Sequence, residues 1–325
     1  VTHIDFTSAS EQAFFRQVVR DYYKGGGFIV DAGCFLGGST LSLCEGVDPS
    51  ILEDRLNRGM KTVIAMDRFL ATDPYVVDAL TMRGRDIRFG ESFLDVFLDR
   101  LNVYLPYIDV RSGDVHQIGR LSVPIEVLFI DVAKSPGLNA YILKSWFPLL
   151  EVGSVVIQQD FYTPAQPWVA ATMGMALDHF DLLAPRVGET ASFILKKPLQ
   201  DASLRSIGVR AGDPAMRLQA FDRLLEIGEY QARYPLLMMK AVALSEIGFQ
   251  ARAAKALDAA YESFASCEAL GSQLDDKAVN WFAMVEGVIR PTDVKVRMQS
   301  EGDLRRHALR IRTRALTITT EASGP

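Results

Sequence analysis

The 325-residue sequence predicts an α/β protein: a mostly parallel sheet with an antiparallel edge, followed by an all-helical region. Three observations carry this. Five short, almost wholly apolar runs alternate with amphipathic segments, the pattern of strands buried on both faces of a parallel sheet. Two further runs flank Gly188 and read as an antiparallel pair closing the edge. After Pro198 the strand signals stop and Ala/Leu-rich helical periodicity takes over.

The strand candidates are Phe28–Val30, Thr62–Met66, Tyr107–Val110, Ile125–Ile130 and Ser154–Ile157, then Phe180–Ala184 and Ala191–Lys196 at the edge. Leu138, Tyr141, Ile142, Trp146 and Leu149 recur at three- and four-residue spacing, so 137–150 reads as a helix with one buried face. Segments 91–101 and 168–178 read similarly. This gives an N-terminal helix in 1–24, a sheet domain over 25–200 and a helical domain over 201–325. In the last, Glu226-Ile227-Gly228 nearly recurs as Glu246-Ile247-Gly248, a helix-end glycine before a new helix start. Stacked helical hairpins of the tetratricopeptide sort and an ordinary bundle both fit. Arg305, Arg306, Arg310, Arg312 and Arg314 form a basic tail, a solvated face or a patch for an anionic partner.

Composition narrows the function. Lys and Arg number 35 against 40 Asp and Glu, a net charge of −5, which argues against broad nucleic-acid binding. Three cysteines, Cys34, Cys44 and Cys267, make neither a disulfide framework nor a zinc spacing, and a reducing cytoplasm is the expected home. No apolar run reaches the ~18 residues of a membrane span, and no signal sequence opens the chain. The first residue is Val1, the mark of a processed or trimmed start or of a piece of a longer protein.

The strongest chemical signal is Ile29-Val30-Asp31-Ala32-Gly33-Cys34-Phe35-Leu36-Gly37-Gly38-Ser39-Thr40: a strand, an acid, a glycine turn and a helix start. Such a turn lies where open α/β sheets bind ligands. The dinucleotide fingerprint G-x-G-x-x-G fails on the spacing of Gly33, Gly37 and Gly38, so a nicotinamide-dependent dehydrogenase is disfavoured. A phosphate loop fails because no lysine precedes Ser39.

The pattern from Asp31 to Ser39 resembles motif I of class I S-adenosylmethionine-dependent methyltransferases, and more narrowly the macrocin O-methyltransferase group and related small-molecule sugar O-methyltransferases. The resemblance runs over about 25–197 and implies a Rossmann-like sheet and S-adenosylmethionine as cofactor. It implies that Asp31, Gly33, Phe35, Gly37, Gly38 and Ser39 cradle the amino-acid end of that cofactor. In Met66-Asp67-Arg68-Phe69, Asp67 falls where the family places an acid on the ribose hydroxyls, with Arg68 beside it. Asp114, in Ser112-Gly113-Asp114-Val115, falls at the adenine. Structural readings compete for both acids: a strand end for Asp67, a helix cap for Asp114. The 36 residues from Asp31 to Asp67 leave room for an insertion near 48–60.

The resemblance also exposes departures. Metal-dependent relatives present an acid after strand four and an Asp-Asp pair after strand five, hard oxygen ligands suited to Mg²⁺. The matching set here is Asp131, Gln159 and Asp160, with Gln159 in place of an acid. The general-base position of the sugar enzymes falls on Ala133, followed by Lys134, whose charge opposes a cation. The remaining candidates for catalysis are Asp160, Asp131 and His116, with Lys134 and Tyr162 behind them; His179 reads as packing and Trp168 as core or pocket wall. The expected activity is methyl transfer to an oxygen of a small molecule, sugar or glycan. The alternative is a degenerate methyltransferase fold serving as a non-catalytic binding or scaffolding module. The expected partners are a small-molecule or glycan acceptor, and a protein partner or second copy held by the C-terminal helices.

Overall fold

The structure, a computed structural model, describes residues 7–82, 84–269 and 276–290. The chain divides into two units. The described residues up to Gln159, with His179–Arg205, form one; Asp160–Asp178, with the described residues from Ser206 onward, form the other.

The first unit is built on a seven-stranded sheet: β1 Phe28–Ala32, β2 Val63–Asp67, β3 Ile108–Ser112, β4 Ile125–Ile130, β5 Leu150–Gln158, β6 Phe180–Val187 and β7 Thr190–Leu195. The order is β3-β2-β1-β4-β5-β7-β6. The first five strands run parallel, while β7 pairs antiparallel with both β5 and β6. This is the Rossmann-like, mostly parallel sheet with an antiparallel edge that the sequence predicts. Burial explains the continuous apolar runs: Val127, Leu128 and Phe129 of β4 have no exposed surface.

Among the described residues seven α-helices precede β5 along the chain. They are α1 Ala9–Tyr22, α2 Gly38–Gly46, α3 Pro49–Asn57, α4 Pro74–Thr81, α5 Leu94–Arg100, α6 Val115–Ile118 and α7 Pro136–Ser145. Helix α1 starts on a capping box in which Ser8 and Glu11 satisfy each other's backbone N–H groups, and its Phe15 meets Phe129 edge-on at 5.0 Å. Helix α3 occupies the segment near 48–60, where the sequence leaves room for an insertion. Its buried Arg55 donates to the carbonyl of Gly25 at 2.7 Å and that of Lys61 at 2.8 Å, so it ties down the segments entering β1 and β2.

Several boundaries shift from their sequence positions, and three of the shifts have a plain cause in proline. The helix expected over 137–150 stops at Ser145, because Pro148 cannot continue it; a 3₁₀ turn, Phe147–Leu149, leads straight into β5. Strand β5 therefore begins at Leu150 rather than Ser154. Strand β3 begins one residue late because Leu105–Tyr107, around Pro106, is also a 3₁₀ turn.

Helix α9, Asp201–Ala211, carries the division between the units. The second unit contains α8 Pro167–Ala176, α10 Pro214–Ile227, α11 Arg233–Glu246, α12 Gln250–Ala269 and α13 Asp276–Ile289. Helices α8 and α10 approach closely through Gly174, where an added Cβ would stand 2.5 Å from the carbonyl oxygen of Ala220. Tyr234, Tyr261, Phe264 and Phe282 form the aromatic centre, with Tyr261 stacked on Phe282 at 4.3 Å. The two Glu-Ile-Gly turns differ in geometry: Gly228 caps α10 in an extended conformation (φ −76°), whereas Gly248 after α11 is left-handed (φ +84°). The basic tail from Arg305 to Arg314 lies outside the described residues. Among the described residues no helix is long and apolar enough to cross a membrane.

Candidate active site

Strand β1 has β2 on one side and β4 on the other, so the connections leave it in opposite directions. Open α/β sheets bind ligands at such a switch point, outside the carboxyl ends of the strands. Of the three non-glycine residues with positive φ, among those described, Phe35 (φ 44°) after β1 and Phe69 (φ 52°) after β2 lie at this edge, and Asp160 (φ 55°) opens the second unit. Conformations of this kind cost energy in an L-residue and concentrate at functional sites.

The turn after β1 is held from below. Asp31 is fully buried, and its Oδ2 accepts the hydroxyls of Ser39 at 2.8 Å and Thr40 at 2.5 Å, bracing the first turn of α2. Its Oδ1 is buried and has no hydrogen-bond partner among the described residues. Burial pushes the Asp31 carboxyl up to about 7, against the pull of the Thr40 and Ser39 hydroxyls, and Asp131 and Asp67 add to the rise. Gly33 (φ +96°) and Gly37 (φ +83°) supply the left-handed turns. An added Cβ at Gly33 would stand 3.0 Å from the Asp131 carbonyl oxygen, and at Gly37 3.1 Å from Leu101 and Phe97. Both glycines thus let the turn pack against protein. Gly38 and Ser39 open α2, and Gly37 offers no capping side chain. The thiol of Cys34 is raised well above its ordinary range by burial and so stays protonated.

At the end of β2, Asp67 joins this turn to the next. Its Oδ2 accepts the Phe35 N–H at 3.0 Å and its Oδ1 the Phe69 N–H at 2.8 Å. Burial holds its carboxyl above the ordinary value, partly offset by backbone N–H groups. Phe35, Phe69 and Phe93 then pack edge to face at 5.2 and 5.9 Å, so the strained loop leans on an aromatic cluster. Asp114, after β3, caps α6 by accepting the His116 N–H at 2.9 Å and pairs with Arg68 at 2.5 Å. That backbone bond and the Arg68 guanidinium hold its carboxyl below the ordinary value. His116 is exposed, its ring set against Tyr141 at 4.7 Å.

The ends of β4 and β5 are arranged differently from the metal site that the resemblance implies. Asp131 is paired with the Lys134 ammonium, and Ala133 is buried. Gln159 turns into the fold: its Oε1 accepts the Thr190 hydroxyl at 2.5 Å and its Nε2 donates to Glu11 at 3.3 Å. The Gln159 carbonyl that could have lent an oxygen to a cation is therefore engaged. Among the described residues no group of three or more His, Cys, Asp or Glu could hold a metal ion. These residues do not fit Mg²⁺. Asp160 belongs to the second unit, where it accepts from Gln166 Nε2 at 3.2 Å. Tyr162 is buried beside Phe161, and Trp168 is half-buried on α8. His179 packs ahead of β6, where its backbone carbonyl accepts the Lys196 and Lys197 N–H groups.

The structure thus brings Asp31, Gly33, Phe35, Gly37, Asp67 and Asp131 to one edge, with the Arg68–Asp114 pair at the ends of β2 and β3. It leaves His116 on the surface and Gln159 in the core. Sequence reasoning missed Thr40, Phe93 and Glu11. Thr40 ends the glycine-turn segment but drew no role there, and Phe93 carries no motif; Glu11 announces itself only as the fourth residue of the capping box Ser8-x-x-Glu11.

No protein-family model and no curated protein matches the chain. Among solved structures, the O-methyltransferase NovP is similar at 18% identity and a TM-score of 0.43, over 58% of this chain and 80% of that one. The S-adenosylhomocysteine-bound methyltransferase PaMTH1 of Podospora anserina is similar at 16% identity and a TM-score of 0.36, over 59% of this chain and 80% of that one. At these scores and identities neither likeness carries an inference about activity.

Proposed function

We propose that this chain is an S-adenosylmethionine-dependent methyltransferase that methylates an oxygen of a small molecule, sugar or glycan. The observation that carries the proposal is the joint held by Asp67, whose carboxylate fixes two strained turns, at Phe35 and Phe69, beside the switch point. A carboxylate has about four acceptor sites, so Asp67 keeps capacity for a ribose hydroxyl. Asp31 keeps an unpaired oxygen under the turn that would take the amino-acid end, and Arg68 with Asp114 would border the adenine.

The bound cofactor supplies a methyl group already activated as a sulfonium. The chain's own residues have to place the acceptor oxygen in line and shield it from water. They also have to accept its proton, a task for which Asp160 and Asp131 are the candidates. The scaffold alternative draws on the Asp131–Lys134 pair and on Gln159 turned into the core.

Turnover separates the two readings. Transfer of labelled methyl from S-adenosylmethionine should be tested on a panel of glycosides and glycan fragments, with Asp160→Asn alongside. The enzyme reading expects a methylated product and at least a tenfold loss in Asp160→Asn with cofactor affinity nearly unchanged. Cofactor binding without transfer to any member of the panel supports the scaffold.

A further inference from the structure

Helices α11 and α12 pack against each other and leave a groove of about 250 Å³ between them. Leu237, Leu244 and Ala256 give it apolar walls, and Lys240, Arg252 and Lys255 line it with positive charge. Among the described residues no acid lines it. The cations are only partly neutralised within the unit. Lys240 pairs with Asp222 on α10, but Arg252 and Lys255 are exposed and have no ion-pair partner among the described residues. Of the acids on these two helices, Glu246 pairs with Arg217 and Asp258 with Arg290. The exposed ring of Phe249 lies under the Arg252 guanidinium at 5.4 Å and extends the apolar surface past the groove.

A local excess of cations around apolar walls, in a chain whose net charge is −5, selects a ligand that is both acidic and apolar. Size decides the class. Small-molecule sites occupy ~300–1,000 Å³ and enclose most of their ligand. This open groove is smaller and suits one anchoring side chain of a larger partner, as in helix-in-groove recognition. The chain's own Arg305–Arg314 stretch has the wrong charge.

We infer that the α11–α12 groove docks an acidic segment of a partner protein. The segment sets one aliphatic or aromatic side chain on Leu237, Leu244 and Ala256 and turns its carboxylates to Arg252 and Lys255.

The test is selection from a displayed library of random 16-residue peptides against the full chain. Enriched peptides are then synthesised and titrated by fluorescence anisotropy. The expected result is enrichment of sequences with Leu, Ile, Phe or Met flanked by Asp or Glu. Their affinity should fall at least tenfold in Arg252→Glu/Lys255→Glu, and again in Ala256→Phe, which fills the groove without altering its charge. Raising the salt from ~0.05 to ~0.5 M should weaken binding in the parent chain far more than in the charge-reversed variant. All three substituted positions avoid the buried aromatic centre, and circular dichroism checks that each variant folds. Failure to enrich acidic peptides, or equal binding to the parent and charge-reversed chains, would overturn the inference. So would flotation of the parent chain, but not of the charge-reversed variant, with vesicles containing phosphatidylserine in the absence of any peptide signal. That outcome would assign the surface to a membrane.

Discussion

Asp31 shows how one residue can support a turn at a cost. It is fully buried and braces Ser39 and Thr40, yet one of its oxygens lacks a partner. Its carboxyl titrates at about 7 in the folded chain, against ~3.9 when unfolded. Because the folded pKa is the higher one, the folded state keeps a proton that the unfolded state releases. The stabilising contribution is complete below about pH 4 and is lost as pH rises through about 7. Asp31→Asn cannot ionise and escapes this loss. Urea unfolding at pH 5 and pH 8 should therefore show the parent chain losing stability relative to the variant as pH rises. A constant difference would contradict the buried, raised carboxyl.

At the scale of elements, the N-terminal helix is tied to the sheet edge by Glu11. Its Oε1 accepts from Gln159 at 3.3 Å, from the Glu189 N–H at 3.2 Å and from the Thr190 hydroxyl at 3.0 Å, while Oε2 closes the capping box. Gly188 stands so close that an added Cβ would lie 2.6 Å from the Glu11 carboxyl. Removing this buried acceptor strands several donors at once, so Glu11→Ala should cost about 2–4 kcal/mol in urea unfolding. A loss below ~1 kcal/mol would mean that α1 is held by Phe15 and its apolar neighbours alone.

The same elements show what could be read in advance. The strands were legible because parallel strands buried on both faces leave unbroken apolar runs, and the turn after β1 because its glycines are spaced as a motif. The stop of α7 and the start of β5 were not, since helical periodicity continues through Trp146 and Leu149 while Pro148 alone ends the helix. The inward turn of Gln159 was also hidden: it depends on Glu11 and Thr190, which lie 148 residues before it and 31 after it.

At the scale of the whole molecule, the chain joins a sheet unit bearing the Asp67 joint to a helical unit bearing a cationic groove. Methyl transfer needs no metal to activate the donor, and Asp131 is already paired with an ammonium. Chelation by EDTA should therefore leave turnover unchanged once an acceptor is found. Loss of activity on chelation, restored by Mg²⁺, would show that Asp131 exchanges Lys134 for a cation.

If the carboxyl edge of β1 and β2 holds S-adenosylmethionine, as proposed, calorimetric titration with S-adenosylhomocysteine will show it. Micromolar binding by the parent chain is expected, with a loss of ~10-fold or more in Asp67→Ala, the value of a charge-assisted hydrogen-bond pair. Absence of binding heat across several temperatures, or equal affinity in Asp67→Ala, would contradict it.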